Sequence, residues 1–259
     1  MKYGKIKMRG DIMTEIYAHR GSSGTHAENT MAAFIEAEQA GADGIEFDLH
    51  LSKDDELVVI HDPTVNRTTN GKGKVKDKTL NELKQLKAGK KFLFFRKKDR
   101  IPTFDEVLQW ARLNEMKLNI EIKYDQGEDN QIEEKVIKKV LDMDLQDRVI
   151  ISSFNHQKMF SCKRNYPDMT FGILFKNKKF ARPSYLKEKP IDAIHPNYQI
   201  VTLNMYNKVK QLGLSVRPYT VNSKKQIKRL LKMNCDAIIT DYPKRAVELR
   251  NKHNKTHLS

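Results

Sequence analysis

Residues Ile16 to Pro63 read IYAHRGSSGTHAENTMAAFIEAEQAGADGIEFDLHLSKDDELVVIHDP. The stretch opens on a short apolar run, Ile16 to Ala18, crosses an amphipathic segment, Asn29 to Ala40, and enters a second apolar run, Gly44 to Leu51. A strand, a helix and a strand in that order form a βαβ unit, which pairs its strands in parallel. The alternation continues to the end of the chain. Strand-like runs recur at Leu118 to Ile122, Val149 to Ser152, Thr170 to Leu174, Ile191 to Ile194, Leu214 to Tyr219 and Ala237 to Thr240. Helical patterns lie at Thr103 to Leu113, Asp129 to Leu141, Asn155 to Asn165, Asn204 to Leu212, Ser223 to Met233 and Pro243 to Lys252, while Phe175 to Pro190 is only weakly helical. Eight such units in 259 residues predict a closed (β/α)8 barrel. An open doubly wound sheet is the alternative, but no Gly-rich phosphate loop follows the first strand.

One connection is longer than the rest. After Leu51 the segment LSKDDELVVIHDP reads as a hairpin, with Asp54 and Asp55 at the turn and Leu57 to Ile60 returning. The remainder, about residues 62–101, is a small basic insertion after the second strand, with a short helix near Leu80 to Leu86. Between Lys72 and Arg100 it carries twelve Lys or Arg and three Asp or Glu, so it supplies +9 of the chain's net +15.

The whole of residues 1–259 is read as one domain, since 39% hydrophobic residues suffice for a sizeable core. No apolar run approaches the ~20 residues of a membrane span, and mean hydropathy is −0.68. The start, MKYGKIKMRGDIMTEIY, has no apolar stretch behind its basic residues, which predicts no cleaved signal and a cytoplasmic protein. Cys162 and Cys235 stand alone, outside any metal-ligand spacing, and read as buried thiols.

Polar residues gather at the ends of the first three strand units: His19 and Arg20; Glu46 and Asp48 with His61 after the return strand; Glu121 and Lys123. Side chains two apart share one face of a strand. Adjacent barrel strands would therefore bring all of these to the C-terminal mouth, where such barrels carry their active sites. Three bare carboxylates cannot converge without raising one another's pKa, and a divalent cation resolves that. All-oxygen ligands favour Mg²⁺ or Ca²⁺. With Arg20 and Lys123 the cluster totals about −1 without the ion and +1 with it, so the loaded site attracts an anion. Two histidines beside it suit general acid and base work near their reference pKa of ~6.5. The combination points to phosphoryl chemistry. Singly, each residue has a plainer reading. A strand-end histidine is more often structural, Glu121 and Lys123 could be an ordinary ion pair, and Asp241 reads as a turn residue before the last helix. His50, His156 and His195 are read as structural.

The chain resembles the glycerophosphodiester phosphodiesterases. The resemblance is carried by AHRGSSGTHAENTMAAFIEA, GADGIEFDLHLSKDDELVVIHDPTVNRTTNGKGKV, IPTFDEVL, LNIEIK, VIISSFNH, HPN, PYTVN and CDAIITDYP, in order over about residues 16–248. It implies a TIM barrel with an insertion after the second strand, and hydrolysis of a small anionic phosphodiester with one bound divalent cation. It also implies that His19 and His61 are the catalytic pair, that Glu46, Asp48 and Glu121 are metal ligands, and that Arg20 and Lys123 contact phosphate. Glu28 and Asn29 fall where the family stabilises the start of the first helix and the site wall. Ala27 replaces the family's usual proline, and Tyr219 stands where many relatives have tryptophan near the glycerol.

A rival reading keeps the chemistry and changes the substrate: a lysophospholipase D on membrane surfaces, prompted by Phe92 to Phe95 within the basic insertion, with peripheral contact to anionic lipid. The plainer account of those phenylalanines is that they form the insertion's own small core. Nucleic-acid binding is suggested only by the pI of about 9.6. Basic charge is a footprint rather than a binding module, and no nucleic-acid partner is expected.

Overall fold

The computed structural model describes residues 13–89, 99–124 and 131–257. All eight apolar runs form strands within them. In chain order the strands are β1 Glu15–His19, β2 Gly44–Leu51, β3 Leu57–Val59, β4 Lys117–Ile122, β5 Val149–Ser153, β6 Thr170–Phe175, β7 Ala193–Pro196, β8 Ser215–Val216 and β9 Ala237–Thr240. β3 is the return strand of the hairpin and pairs antiparallel with β2. The other eight are parallel, in the order β8-β7-β6-β5-β4-β2-β1-β9. The two ends of that path meet: the Val221 amide donates to the Ile239 carbonyl at 2.9 Å, and the Ile239 amide to the Pro218 carbonyl at 3.0 Å. The sheet is thus the expected (β/α)8 barrel.

The helices are α1 Met31–Gln39, α2 Leu80–Gln85, α3 Phe104–Ala111, α4 Ile132–Asp142, α5 His156–Asn165, α6 Pro183–Leu186, α7 Leu203–Gln211, α8 Lys224–Lys232 and α9 Pro243–His257. Among the described residues, none is long and apolar enough to cross a membrane. After β6 the helical layer is a 3-10 turn, Lys178–Ala181, and the four-residue α6. β8 is shorter than its apolar run, because Pro218 has no amide to give. Its pairing resumes beyond, where the Tyr219 amide reaches the Pro196 carbonyl at 3.1 Å.

Strand alternation divides the core in two. Ile45, Phe47 and Leu49 of β2 face the helices; Phe47 packs on Phe34 of α1 and Phe104 of α3 at ring separations of 5.8 and 6.2 Å. Glu46, Asp48 and His50 between them point into the barrel, whose centre holds Tyr17, Ile150, Ala237 and Ile239. Placing carboxylates on the inner face is costly unless they are paired, so the alternation itself marks a site. Cys162 and Cys235 are buried free thiols, each pushed up to about 12 by burial.

Val58 and Ile60, on and just after β3, form a separate small cluster with Val65, Val75, Leu83 and Ile101 of the segment that follows. Thr79 and Glu82 close α2 with a reciprocal capping box, an arrangement that contributes about 1 kcal/mol. Lys90, Lys91, Phe92 to Phe95, Lys97 and Lys98 lie outside the described residues.

Candidate active site

Strand register brings the predicted residues together. His19 on β1 stands opposite Glu46 on β2, and Asp48 opposite Glu121 on β4. One oxygen from each of Glu46, Asp48 and Glu121 lies within 4.8 Å of the others, all three buried. Glu46 and Glu121 border a cavity of about 350 Å³ lined also by His19, Arg20, His61, Lys123 and Tyr219. Asp48, fully buried, sits behind that lining.

The backbone is bent to aim these groups. Arg20 has φ 54° and Gly21 φ 75°, so the chain turns sharply at the end of β1 and the Arg20 amide donates to Glu46 Oε2 at 3.0 Å. Gly21 admits no side chain, since a Cβ there would lie 2.7 Å from the Ala33 backbone. Asn29 donates from Nδ2 to Asp48 Oδ2 at 2.8 Å. Thr30 caps α1 by accepting from the Ala33 amide.

The carboxylates are unequally compensated. Burial, reinforced by Asp48, pushes Glu46 up to about 7. Burial also raises Glu121, against the pull of Lys123. Asp48 is held below the ordinary range because Lys123 and Arg20 outweigh its burial. Lys123 pairs with Glu121 and lies 3.0 Å from Asp48; Arg20 lies 3.4 Å from Asp48 and 2.8 Å from Glu28. Among the described residues Glu46 has a single hydrogen bond, from the Arg20 amide. An additional cation among the three would relieve it. The separations suit such an ion, because ligand oxygens on opposite sides of a cation at ~2.4 Å are about 4.8 Å apart.

Each candidate catalytic histidine is held by a carboxylate on its Nδ1. Asp241 Oδ1 lies 2.6 Å from His19 Nδ1 and also accepts from Ser23 Oγ at 3.1 Å, while its Oδ2 accepts from Asn222 Nδ2 at 2.6 Å. Asp62 Oδ1 lies 2.7 Å from His61 Nδ1. With Nδ1 occupied in both, Nε2 is the nitrogen left for the cavity. The sequence reading of Asp241 as a turn residue is therefore corrected: barrel closure sets the end of β9 beside the end of β1. His50, although buried and in phase with the triad, donates from Nε2 to the His61 carbonyl at 3.1 Å and so anchors that loop. His156 bonds Tyr185 and the Leu174 carbonyl, away from the cavity.

Burial by itself would lower His19, but Glu46 and the Asp241 hydrogen bond prevail and raise it above its ordinary value. His61 is lowered, mainly by burial, with Lys123 and Arg20 adding to it against Asp48. Arg67, from the insertion, joins both halves. It grips Glu28 through two nitrogens at 2.6 and 2.8 Å and Asp62 through two contacts at 2.6 and 2.9 Å. Glu28 in turn holds Arg20.

Residues 19–245 match the glycerophosphoryl diester phosphodiesterase family. The chain belongs to that family. It is 41% identical over 241 residues to the glycerophosphodiester phosphodiesterase of Bacillus altitudinis, covering 92% of this chain and 98% of that one. The glycerophosphodiester phosphodiesterase of Caldanaerobacter subterraneus subsp. tengcongensis is also 41% identical, with 93% and 99% covered. Among solved structures, an Oleispira antarctica phosphodiesterase in complex with the product sn-glycerol-3-phosphate superposes with a TM-score of 0.80 at 28% identity, over 92% of this chain and 97% of that one. The family match spans both histidines, the acidic triad, Arg67 and Asp241 of this family member.

Proposed function

We propose that the chain hydrolyses glycerophosphodiesters to an alcohol and sn-glycerol 3-phosphate, with His19 and His61 moving the protons. The observation that carries this reading is the convergence of two carboxylate-backed imidazoles and a buried acidic triad on one cavity in a member of this family. The product bound to the Oleispira antarctica relative supports the nature of the product here. Glu46, Asp48 and Glu121 would hold one divalent cation, Mg²⁺ or Ca²⁺, which when bound supplies charge stabilisation to the phosphoryl oxygens.

Arg20 and Lys123 add fixed positive charge where negative charge grows on the phosphoryl oxygens. His61, with its lowered pKa, is neutral near pH 7 and accepts the proton of the attacking hydroxyl through Nε2. His19, backed on Nδ1 by the Asp241 carboxylate, donates a proton from Nε2 to the departing alkoxide. The attacking hydroxyl belongs to water or to the glycerol 2-position, and the same two imidazoles serve either route. A coupled assay for released sn-glycerol 3-phosphate, run on several glycerophosphodiesters with and without chelator, tests the proposal. Release that stops on chelation and returns with Mg²⁺ or Ca²⁺ is expected; no release from any diester would overturn it.

A further inference from the structure

Across the barrel from β1 lies β6: β2, β4 and β5 separate them on one side, and β9, β8 and β7 on the other. Lys176 directly follows β6, so it faces His19 and Arg20 over the mouth. It is exposed and lines the cavity together with Phe154, Leu174, Asn197 and Tyr219. The two other lining cations, Arg20 and Lys123, are both held by carboxylates. Lys176 alone among the lining cations has neither an ion pair nor a hydrogen bond among the described residues. The chain on either side of it supplies no carboxylate: Lys178, Lys179 and Arg182 follow it, and residues 170–187 contain no Asp or Glu.

A diester whose phosphate sits between the triad and the two histidines must direct one ester group across this cavity. The alcohol at the rim meets an ammonium with no carboxylate partner among the described residues, beside Phe154, whose ring stands edge to face at 6.2 Å with that of Tyr219, the residue expected near the glycerol. Aromatic faces attract a quaternary ammonium. The attraction to a ring quadrupole falls off faster with distance than the repulsion between two full charges, so the lysine decides the sign. We propose that Lys176 makes this wall an anion-selecting subsite, favouring glycerophosphodiesters whose alcohol bears a further carboxylate or phosphate and disfavouring choline. The inference rests on the reading that the site hydrolyses glycerophosphodiesters.

The test measures kcat/KM by released sn-glycerol 3-phosphate on glycerophosphoinositol 4-phosphate, glycerophosphoglycerol and glycerophosphocholine. The wild type is expected to favour the first over the last by about tenfold or more, chiefly through KM, with the ratio shrinking as salt screens the charge. Lys176→Glu should bring that ratio to one or below, and Lys176→Arg should preserve it. Unchanged melting curves of both variants establish that they fold. A wild type that prefers glycerophosphocholine, or a Lys176→Glu ratio within twofold of wild type, overturns the proposal while leaving the diesterase reading intact. Failure of the wild type to release sn-glycerol 3-phosphate from any of the three diesters overturns both.

Discussion

His19 and His61 share one arrangement, Nδ1 on a carboxylate and Nε2 toward the cavity, yet their pKa values move in opposite directions. Replacing either by Ala should lower kcat by ~10²-fold or more, with an unchanged melting curve; near-normal turnover would remove that residue from the mechanism. Asp241→Asn separates orientation from charge. Losing the anion destabilises imidazolium, so the pKa of His19 falls and the alkaline limb of the kcat/KM profile moves to lower pH, while the acid limb set by His61 stays. A profile that loses height without moving its limbs would restrict Asp241 to holding the ring. For the triad, Glu46→Gln, Asp48→Asn and Glu121→Gln should each weaken Mg²⁺ or Ca²⁺ binding in calorimetric titration, a readout independent of turnover. The histidines and the triad were legible because His19 ends β1, Glu46 and Asp48 stand two apart on one face of β2, His61 follows the return strand and Glu121 lies on β4. Asp241 was hidden because its partner is 222 positions away. The available signal was topological: in a closed barrel the first and last strands are neighbours.

At the scale of the element, the segment that follows β3 braces the mouth. Arg67 reaches from it to Asp62 behind His61 and to Glu28 behind Arg20. Arg67→Met should therefore lower kcat by about tenfold or more, as losing a partner that orients an active group commonly does, with little change in KM. Arg67→Lys should recover only part, because a single ammonium cannot grip two carboxylates bidentately. The same ion pairs set an acid limit. The Arg67 hydrogen bonds lower Asp62 to about 2, and those of Arg67 and Arg20 lower Glu28 against its burial. A depressed carboxylate stabilises the fold above its ordinary pKa near 4, and that stabilisation is lost as pH falls through the folded value. Thermal melts taken from pH 4 to pH 2 should therefore fall less steeply in Arg67→Met than in wild type. Arg67 could not be read from the sequence, where it is one of many basic residues in a charged segment. Gly44–Leu51 was legible because Ile45, Phe47 and Leu49 alternate with Glu46, Asp48 and His50, and Ala237–Thr240 because burial on both faces makes the run apolar. α6 was not, since four residues carry no helical period.

Over the whole molecule the net charge of +15 is unevenly spread, with +9 between Lys72 and Arg100 and a second basic stretch, this one free of acids, after β6. A long-range field and a local contact make different kinetic signatures. Steering raises the encounter rate of every anionic substrate and fades as the Debye length falls from ~30 Å at 0.01 M salt to ~8 Å at 0.15 M. It leaves kcat and the ranking of similarly charged substrates alone. Neutralising Lys90, Lys91, Lys97 and Lys98 together should accordingly lower kcat/KM on anionic diesters and flatten its dependence on ionic strength, with kcat unchanged. The lysophospholipase reading expects something else of the same variant: loss of co-sedimentation with anionic vesicles, shared by a Phe94→Ser, Phe95→Ser double variant whose kcat/KM on water-soluble diesters is normal. Measuring kcat/KM against salt beside vesicle binding decides between the two. If both stay at wild-type values, the segment's charge serves neither steering nor lipid contact, and its contribution to function reduces to the grip of Arg67.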